Sequence, residues 1–485
     1  MNTPLKFSSE EISLLRKVYS FSKENKIKLF LVGGFLRDSL IGLKKKNPDF
    51  DFCLKENAIS FGKKLSLKLK CGFFVLDKEH GACRLVKNTK DKVYTFDFTD
   101  FRGRDLEDDL IHRDFTCNAL ALALESVFES GDLKPFLIDP TEGIKDLRKK
   151  IIRLAGKEAF VEDPLRILRA FSFSAQLGFK IHPEVLKSAR NSRKLLEKVS
   201  GERIRDELFK VFDSNDAYKH FALIDKLNIL EVIFPEIKKM RGIGKGAYHH
   251  LDVWDHTMEA LKQLEMLYSQ FEKNELIRGF LDEVIAGPRK RRSLLKFGVL
   301  LHDIGKPKAL RHKQGKIIFH GHERIGLDFT KEIVQRLKLS NDELNSLKTM
   351  VLWHLRPGYL GDQEELTPRA KFRYFRDTGK EALSVLLLSI ADQRATRGPL
   401  TTNASRVQHE KTCLGLIKEY FRKQKQKKFV RLINGDDLIS RFKLAPSPLF
   451  GKVLKEVEEL QAIGKIRSKQ EAFAQAGRII KSQKA

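Results

Sequence analysis

A chain of 485 residues is longer than one hydrophobic core serves, so three or four domains are expected, and 41% apolar residues suffice to build them and exclude a disordered composition. The 92 Lys and Arg against 64 Asp and Glu leave a net charge of +28, spread along the chain, which points to a polyanionic partner and to nucleic acid first. No run approaches the ~20 apolar residues of a membrane span, the N-terminal residues lack a signal-peptide core, and the five cysteines show no paired spacing, so a reduced, cytoplasmic protein without a membrane partner is expected.

Ser8 and Glu11 form a capping box that predicts a helix to about Asn25. "KLFLVGG" then reads as a strand running into a glycine turn, "FLRDSLIG" as a helix closed by Gly42, and "DFDFCL" as a second strand. "GFFVLD", "ACRLVK" and "VYTFDFTD" are further strands by their alternation. From "EDPLRILRAFSFSAQLGF" onward nearly every segment has helical periodicity; "LSVLLLSIA" suits a buried helix and lysine-rich 418–429 an exposed helix end or linker. The fold class is therefore α+β, a head with a mixed sheet followed by an all-α remainder.

Within "DFDFCL", alternation puts Asp49 and Asp51 on one face and sends Phe50 and Phe52 into a core. Two carboxylates side by side repel unless a hard cation lies between them, and Mg²⁺ is commonly held by one or two carboxylates together with nucleotide phosphates. Gly33 and Gly34 just upstream allow phosphate oxygens to approach the backbone at a helix start. A lone Asp-x-Asp also suits a solvated strand end; the glycine turn and Arg37-Asp38 at this spacing are what make it specific.

With those residues in place the sequence resembles a known family. "GGFLRDSLIG" followed by "DFDF" is similar to motif A of the class II, polymerase-β-like nucleotidyltransferases, which include the tRNA CCA-adding enzymes and bacterial poly(A) polymerases. "HRDFTCNALAL" resembles motif B with His112 in place of the usual first arginine, "DPTEGIKDLRKKIIRL" motif C with Glu142 where glycine is usual, "EDPLRILRAFSFSAQLGF" motif D, and "GERIRDELFKVF" motif E, all in the family's order. The resemblance implies two-metal nucleotidyl transfer with Mg²⁺ on Asp49 and Asp51 and with Asp97 as a third carboxylate. It further implies nucleotide contacts from Gly33, Gly34, Arg37, Asp38, Arg113, Asp114, Asn118, Glu162, Asp163, Arg166 and Arg169, with His112 weakening the phosphate contact at its own site.

Asp163 and Arg166, three apart, would share a helix face, where the plain reading is an intrahelical salt bridge. Cytosine and adenine each present an amine donor beside a ring-nitrogen acceptor, whereas uracil and guanine present the reverse. A carboxylate only accepts and a guanidinium only donates, so the pair fits C and A, and the resemblance implies that it serves as an amino-acid template, with Glu162 placing Arg166. Full CCA-adding relatives carry a flexible loop between the strand after motif A and motif B. Here "VYTFDFTDFRGRDLEDDLIHRDF" has no such insertion, so we favour the CC-adding subtype over full CCA addition.

Residues 249–398 carry "HHLDVWDHT", "LLHDIGKP", "HGHERIG", "WHLRPG" and "ADQRATRG". Imidazole and carboxylate together ligate divalent metals. Any one of these histidines reads as a satisfied core imidazole, but the ordered set resembles the HD phosphohydrolase domain, implying metal ligands His256, His302, Asp303 and Asp392, with His322 and His354 for a second ion. Expected boundaries are 1–154 for the nucleotidyltransferase head, 155–235 for a helical neck binding RNA and nucleotide, 236–400 for the HD domain and 401–485 for a helical tRNA-contacting tail. Expected partners are tRNA, CTP and ATP. Rival readings are a poly(A) polymerase, disfavoured by the HD motifs, and an HD hydrolase whose head only binds RNA, disfavoured by the intact head carboxylates.

Overall fold

The structure, a computed structural model, describes residues 7–482 apart from 130–132, 246–249, 314–315, 364, 399–401, 426–429, 444 and 446, so His249 and the end of the lysine-rich stretch lie outside the described residues. The chain folds as two compact units, residues 1–214 with 223–233, and residues 215–222 with 234–485; the expected boundaries at 154 and 400 fall inside these units.

The first unit opens with α1 (Ser9–Glu24), begun by the Ser8–Glu11 capping box, and α2 (Gly34–Leu40), after which Gly42 takes φ +76°. Its sheet comprises β1 (Phe30–Val32), β2 (Asp49–Leu54), β3 (Gly72–Asp77), β4 (Ala82–Asn88), β5 (Val93–Asp100), β6 (Ala121–Ala123) and β7 (Leu137–Ile138), in the order β3-β4-β5-β2-β1-β6-β7. β2 and β5 run parallel and the other neighbours antiparallel. The alternation in β2 and β5 decides the faces. Phe50 stacks on Phe96 and Phe52 on Phe98 across the parallel pair, beneath α3 (Ala58–Leu69), whose Phe61 meets Phe98 edge-on. Each such fully buried ring contributes roughly 1.5–3 kcal/mol, which leaves the opposite face of the sheet free for polar chemistry.

Beyond the sheet the described residues of the unit are mostly helical, with an isolated bridge between Phe115 and Leu154 and a two-residue parallel pairing of Ile151–Ile152 with Lys180–Ile181, both too short to leave a period in the sequence. Glu207, on the helix Gly201–Phe212, is buried; it accepts from Ser172 on the helix Arg166–Leu177 and pairs with Lys210 at 2.7 Å. That contact fixes the helix that faces the sheet's open side.

In the second unit the helix Val253–Gln270 packs on Ala382–Ala395, whose residues 382–391 are all buried. The helices Arg291–Leu301, His322–Arg336 and Asn341–Trp353 complete the core. Buried Arg291 is neutralised by Glu283 and Glu381, and Glu381 also accepts from Ser346 and Ser384, so no charge in this cluster is left unpaired. The helices Gly435–Phe442, Pro448–Ala462 and Lys469–Ser482 gather around their own apolar cluster, which includes Leu438, Val453 and Ala476. No described helix is long and apolar enough to cross a membrane.

Candidate functional site

The register of the sheet decides which carboxylates meet. Asp51 is paired with Asp97 across the parallel strands and with Val32 on its other side, so Asp97 stands beside Asp51, while Asp49 sits half exposed at the start of β2. Burial, then Asp97, push the Asp51 carboxyl up to about 6, with Asp49 adding to the rise and Arg113 and Lys45 opposing it. Gly33 has φ +73°, and a Cβ there would lie 3.0 Å from Asp51 Oδ2, so this turn keeps the carboxylate accessible.

These groups open into a cleft of about 420 Å³ whose lining includes Gly33, Gly34, Arg37, Asp51, Asp97, Arg113, Asp114, Asn118, Asp163, Arg166 and Arg169. Two expected nucleotide residues, Asp38 and Glu162, do not line it. Asp38 is buried and receives Arg37 Nε at 2.8 Å, while Arg37 Nη1 donates to Asn118 Oδ1 at 2.6 Å; Asp38 thus holds Arg37 rather than lining the cleft. Glu162 accepts from Arg166 Nη1 at 2.9 Å and pairs with His112 Nδ1 at 2.6 Å. His112 is thereby engaged by a carboxylate and does not line the cleft.

Asp163 and Arg166 do not share a helix face as the spacing suggested. Asp163, with φ −143° and ψ 99°, ends the short helix Ala159–Glu162, and Arg166 begins the next. Pro164 is the reason, since a residue preceding proline is pushed out of the helical region. Both side chains still reach one cleft. Arg166 donates to the carbonyls of His112 (2.7 Å) and Ala159 (3.2 Å) besides Glu162, which fixes the guanidinium, while Asp163 accepts from Arg203 at 2.8 Å. Asp114 receives Arg169 through Nε and Nη2 (3.0 and 2.6 Å) and Asn118 at 2.9 Å. Burial opposes its ionisation, but Arg169 and these hydrogen bonds hold it down at about 2.

Sequence reasoning missed several residues that line the cleft or hold its lining. Lys45 reaches Asp38 at 3.2 Å and Asp49 at 4.0 Å. Arg84 clasps both oxygens of Asp97 (2.8 and 2.7 Å). Phe173 lies between the guanidiniums of Arg37 and Arg169, each 5.0 Å from its ring centre. Arg102 lines the cleft, and burial, then Arg113 and Arg166, push its pKa down. Three crowded guanidiniums facing one cleft form a wall suited to a polyphosphate. Phe173 falls within the motif D stretch without a role suggested by its spacing, and Lys45, Arg84 and Arg102 lie outside the motif stretches, so no local signal marked them.

In the second unit the six expected residues converge. His256, His302 and Asp392 form one triad and Asp303, His322 and His354 another, the ligand atoms within each lying no more than 4.8 Å apart. His302, His322 and His354 each bring Nδ1 within 2.6–2.8 Å of a backbone carbonyl three residues earlier. That contact places the proton on Nδ1 and turns the Nε2 lone pair toward the cluster, the tautomer a metal ligand needs. His302 Nε2 is buried without a hydrogen-bond partner. Burial opposes protonation, yet Asp303 and Asp392 draw His302 up to about 10, while burial, then His302, push His354 down to about 3. The cluster therefore favours one positive charge at its centre, and its nitrogen and carboxylate donors fit a divalent ion.

The comparisons agree with this division of labour. Residues 29–153 match the family described as Poly A polymerase head domain, 178–240 the family described as "Probable RNA and SrmB- binding site of polymerase A", and 248–396 the HD domain. The chain is 30% identical over 453 residues to an A-adding tRNA nucleotidyltransferase of Deinococcus radiodurans, covering 92% of this chain and 94% of that protein. It is 27% identical to a CC-adding tRNA nucleotidyltransferase of Thermus thermophilus, over 92% of each. A Thermotoga maritima CCA-adding enzyme solved with tRNA shares the fold at 22% identity, with a TM-score of 0.61 over 98% of this chain and 96% of that one.

Proposed function

This chain belongs to the tRNA nucleotidyltransferase family, and from that premise we propose that it adds cytidines from CTP to the 3′ end of tRNA without a template, as a CC-adding enzyme. The observation that carries the reading is one cleft holding both a carboxylate row, Asp51 beside Asp97, and the fixed Asp163 and Arg166 pair. Both of its catalytic domain families are metal-dependent, so a divalent ion is expected at each site; Mg²⁺ on Asp49 and Asp51 of the head is our assignment. When bound there it supplies acidity to the ribose hydroxyl and neutralises charge on the leaving pyrophosphate. Arg102, Arg113 and Arg169 bind and orient the triphosphate, and Asp114 and Asn118 place the sugar. Asp163 accepts the base amine while Arg166 donates to the ring nitrogen, which admits C or A and rejects U or G.

Support for the CC subtype is the connection from β5 to the helix Leu106–Ile111, only residues 101–105, pinned by Arg102 N to Asp109 and Arg104 N to Asp108. The Deinococcus likeness favours a second reading, addition of the terminal A. End-trimmed tRNA and tRNA already ending in CC, each incubated with CTP and ATP, separate them. Two cytidines on the first and no adenosine on either are expected; a 3′-A overturns the subtype, and a long A tract on unrelated RNA overturns tRNA specificity. Replacing both Asp49 and Asp51 with Asn should abolish every addition.

For residues 236–400 we propose metal-dependent hydrolysis of phosphomonoesters or 2′,3′-cyclic phosphates, with His256, His302, Asp303 and Asp392 holding the ion and His322 and His354 a second. The four-part division stated above remains our partition of the chain. His302→Ala should abolish hydrolysis of a chromogenic phosphodiester and leave C addition intact; hydrolysis that persists would return this region to a structural role.

A further inference from the structure

The register that joins Asp51 to Asp97 continues outward. Asp97 is paired with Arg84 on β4, and Arg84 with Phe74 on β3, the edge strand. Phe74, Arg84, Asp97 and Asp51 therefore form one row on one face of the sheet. Phe73, one residue away, lies under α3 against Gly62, on the covered face. Phe74 and Leu76 are 56% and 51% exposed, and Leu76 lines the cleft. A large exposed ring on an edge strand is a liability unless it meets something, and here it stands two strands from the carboxylates, about 10 Å from Asp97 at ~4.8 Å per strand. Arg84 spends Nε and Nη2 on Asp97 and is otherwise half exposed, which places a cation between the ring and the metal face.

We propose that Phe74 and Leu76 form a stacking platform for the last bases of the RNA strand being extended, with Arg84 facing the phosphate that joins the last two nucleotides. An aromatic surface beside a guanidinium is the combination that holds single-stranded nucleic acid irrespective of base, which suits a 3′ end whose terminal base changes at each step. The charge fits as well, since the strand entering the carboxylate row is anionic and Arg84 is the cation on its way. The inference rests on the nucleotidyl-transfer reading and identifies where the acceptor, rather than the incoming nucleotide, is held.

The test places 2-aminopurine at the 3′-terminal position of an acceptor-stem minihelix. The full-length protein should quench its fluorescence, Phe74→Ala should lose that quenching, and Phe74→Trp should restore it. Steady-state C addition should show the KM for the minihelix raised about tenfold in Phe74→Ala, in line with a stacked base, with the KM for CTP unchanged. Quenching and RNA KM that survive Phe74→Ala overturn the platform. So does a change of sedimentation from dimer to monomer with RNA binding intact, which would give this face to a second copy of the chain. If the unsubstituted protein extends no RNA, the transfer reading fails, while the quenching still reads the platform.

Discussion

Asp51 bears an electrostatic cost that a cation relieves. Its carboxyl is pushed up to about 6 from 3.8 by burial and by Asp97, so the metal-free fold holds a proton there that the unfolded chain releases earlier. Stability contributed by this group is therefore full at low pH and falls as pH climbs from about 4 through about 6. Asp51→Asn should stabilise the metal-free protein at pH 7 by up to about 3 kcal/mol and flatten that slope, as thermal melts at pH 4–7 would read. A variant that melts lower at pH 7 would contradict the repulsion. The aspartates themselves were legible because a period of two admits one arrangement. Arg84 and Arg102 were not, since each is one of 92 basic residues and acts through a fold contact. Asp38 and Glu162 were placed in the right neighbourhood but hold the cleft's arginines rather than line it, Asp38 from a buried position and Glu162 from an exposed one, a distinction that spacing does not make.

At the scale of elements, the strands were readable because alternating phenylalanines cannot serve a helix, and β2, β3 and β5 keep the expected limits. The Asp163–Arg166 stretch was misread because three-residue spacing was weighed above Pro164, and the two-residue pairings carry no pattern at all. The turn after the helix Arg291–Leu301 shows how elements meet to make a site. Gly305 lies so close to the start of His322–Arg336 that a Cβ would stand 2.1 Å from the His322 carbonyl, and His322 Nε2 is 3.3 Å from Asp303. Gly305→Ala must drive these helices apart, at a cost of roughly 1–3 kcal/mol. Metal per chain, measured after dialysis, should fall with it, whereas unchanged metal content would show that the two helices can move without opening the cluster.

For the whole molecule the dominant quantity is charge. A surplus of +28 acts through phosphate contacts and counterion release, so the KM for tRNA should climb steeply between 50 and 200 mM salt, roughly as a power of salt concentration, while the KM for CTP moves far less. A flat response would mean that the surplus merely keeps the surface solvated. Architecture adds a different constraint. The parallel pairing of β2 with β5 needs everything between them, α3 and the β3–β4 hairpin, to be made first. During synthesis, then, the Asp49–Asp51 half of the row emerges from the ribosome well before Asp97 can dock beside it. A polypeptide that ends in that interval carries Asp49 and Asp51 without the neighbour that completes the row, so the two carboxylates of the parallel pair exist only in chains that extend past β5.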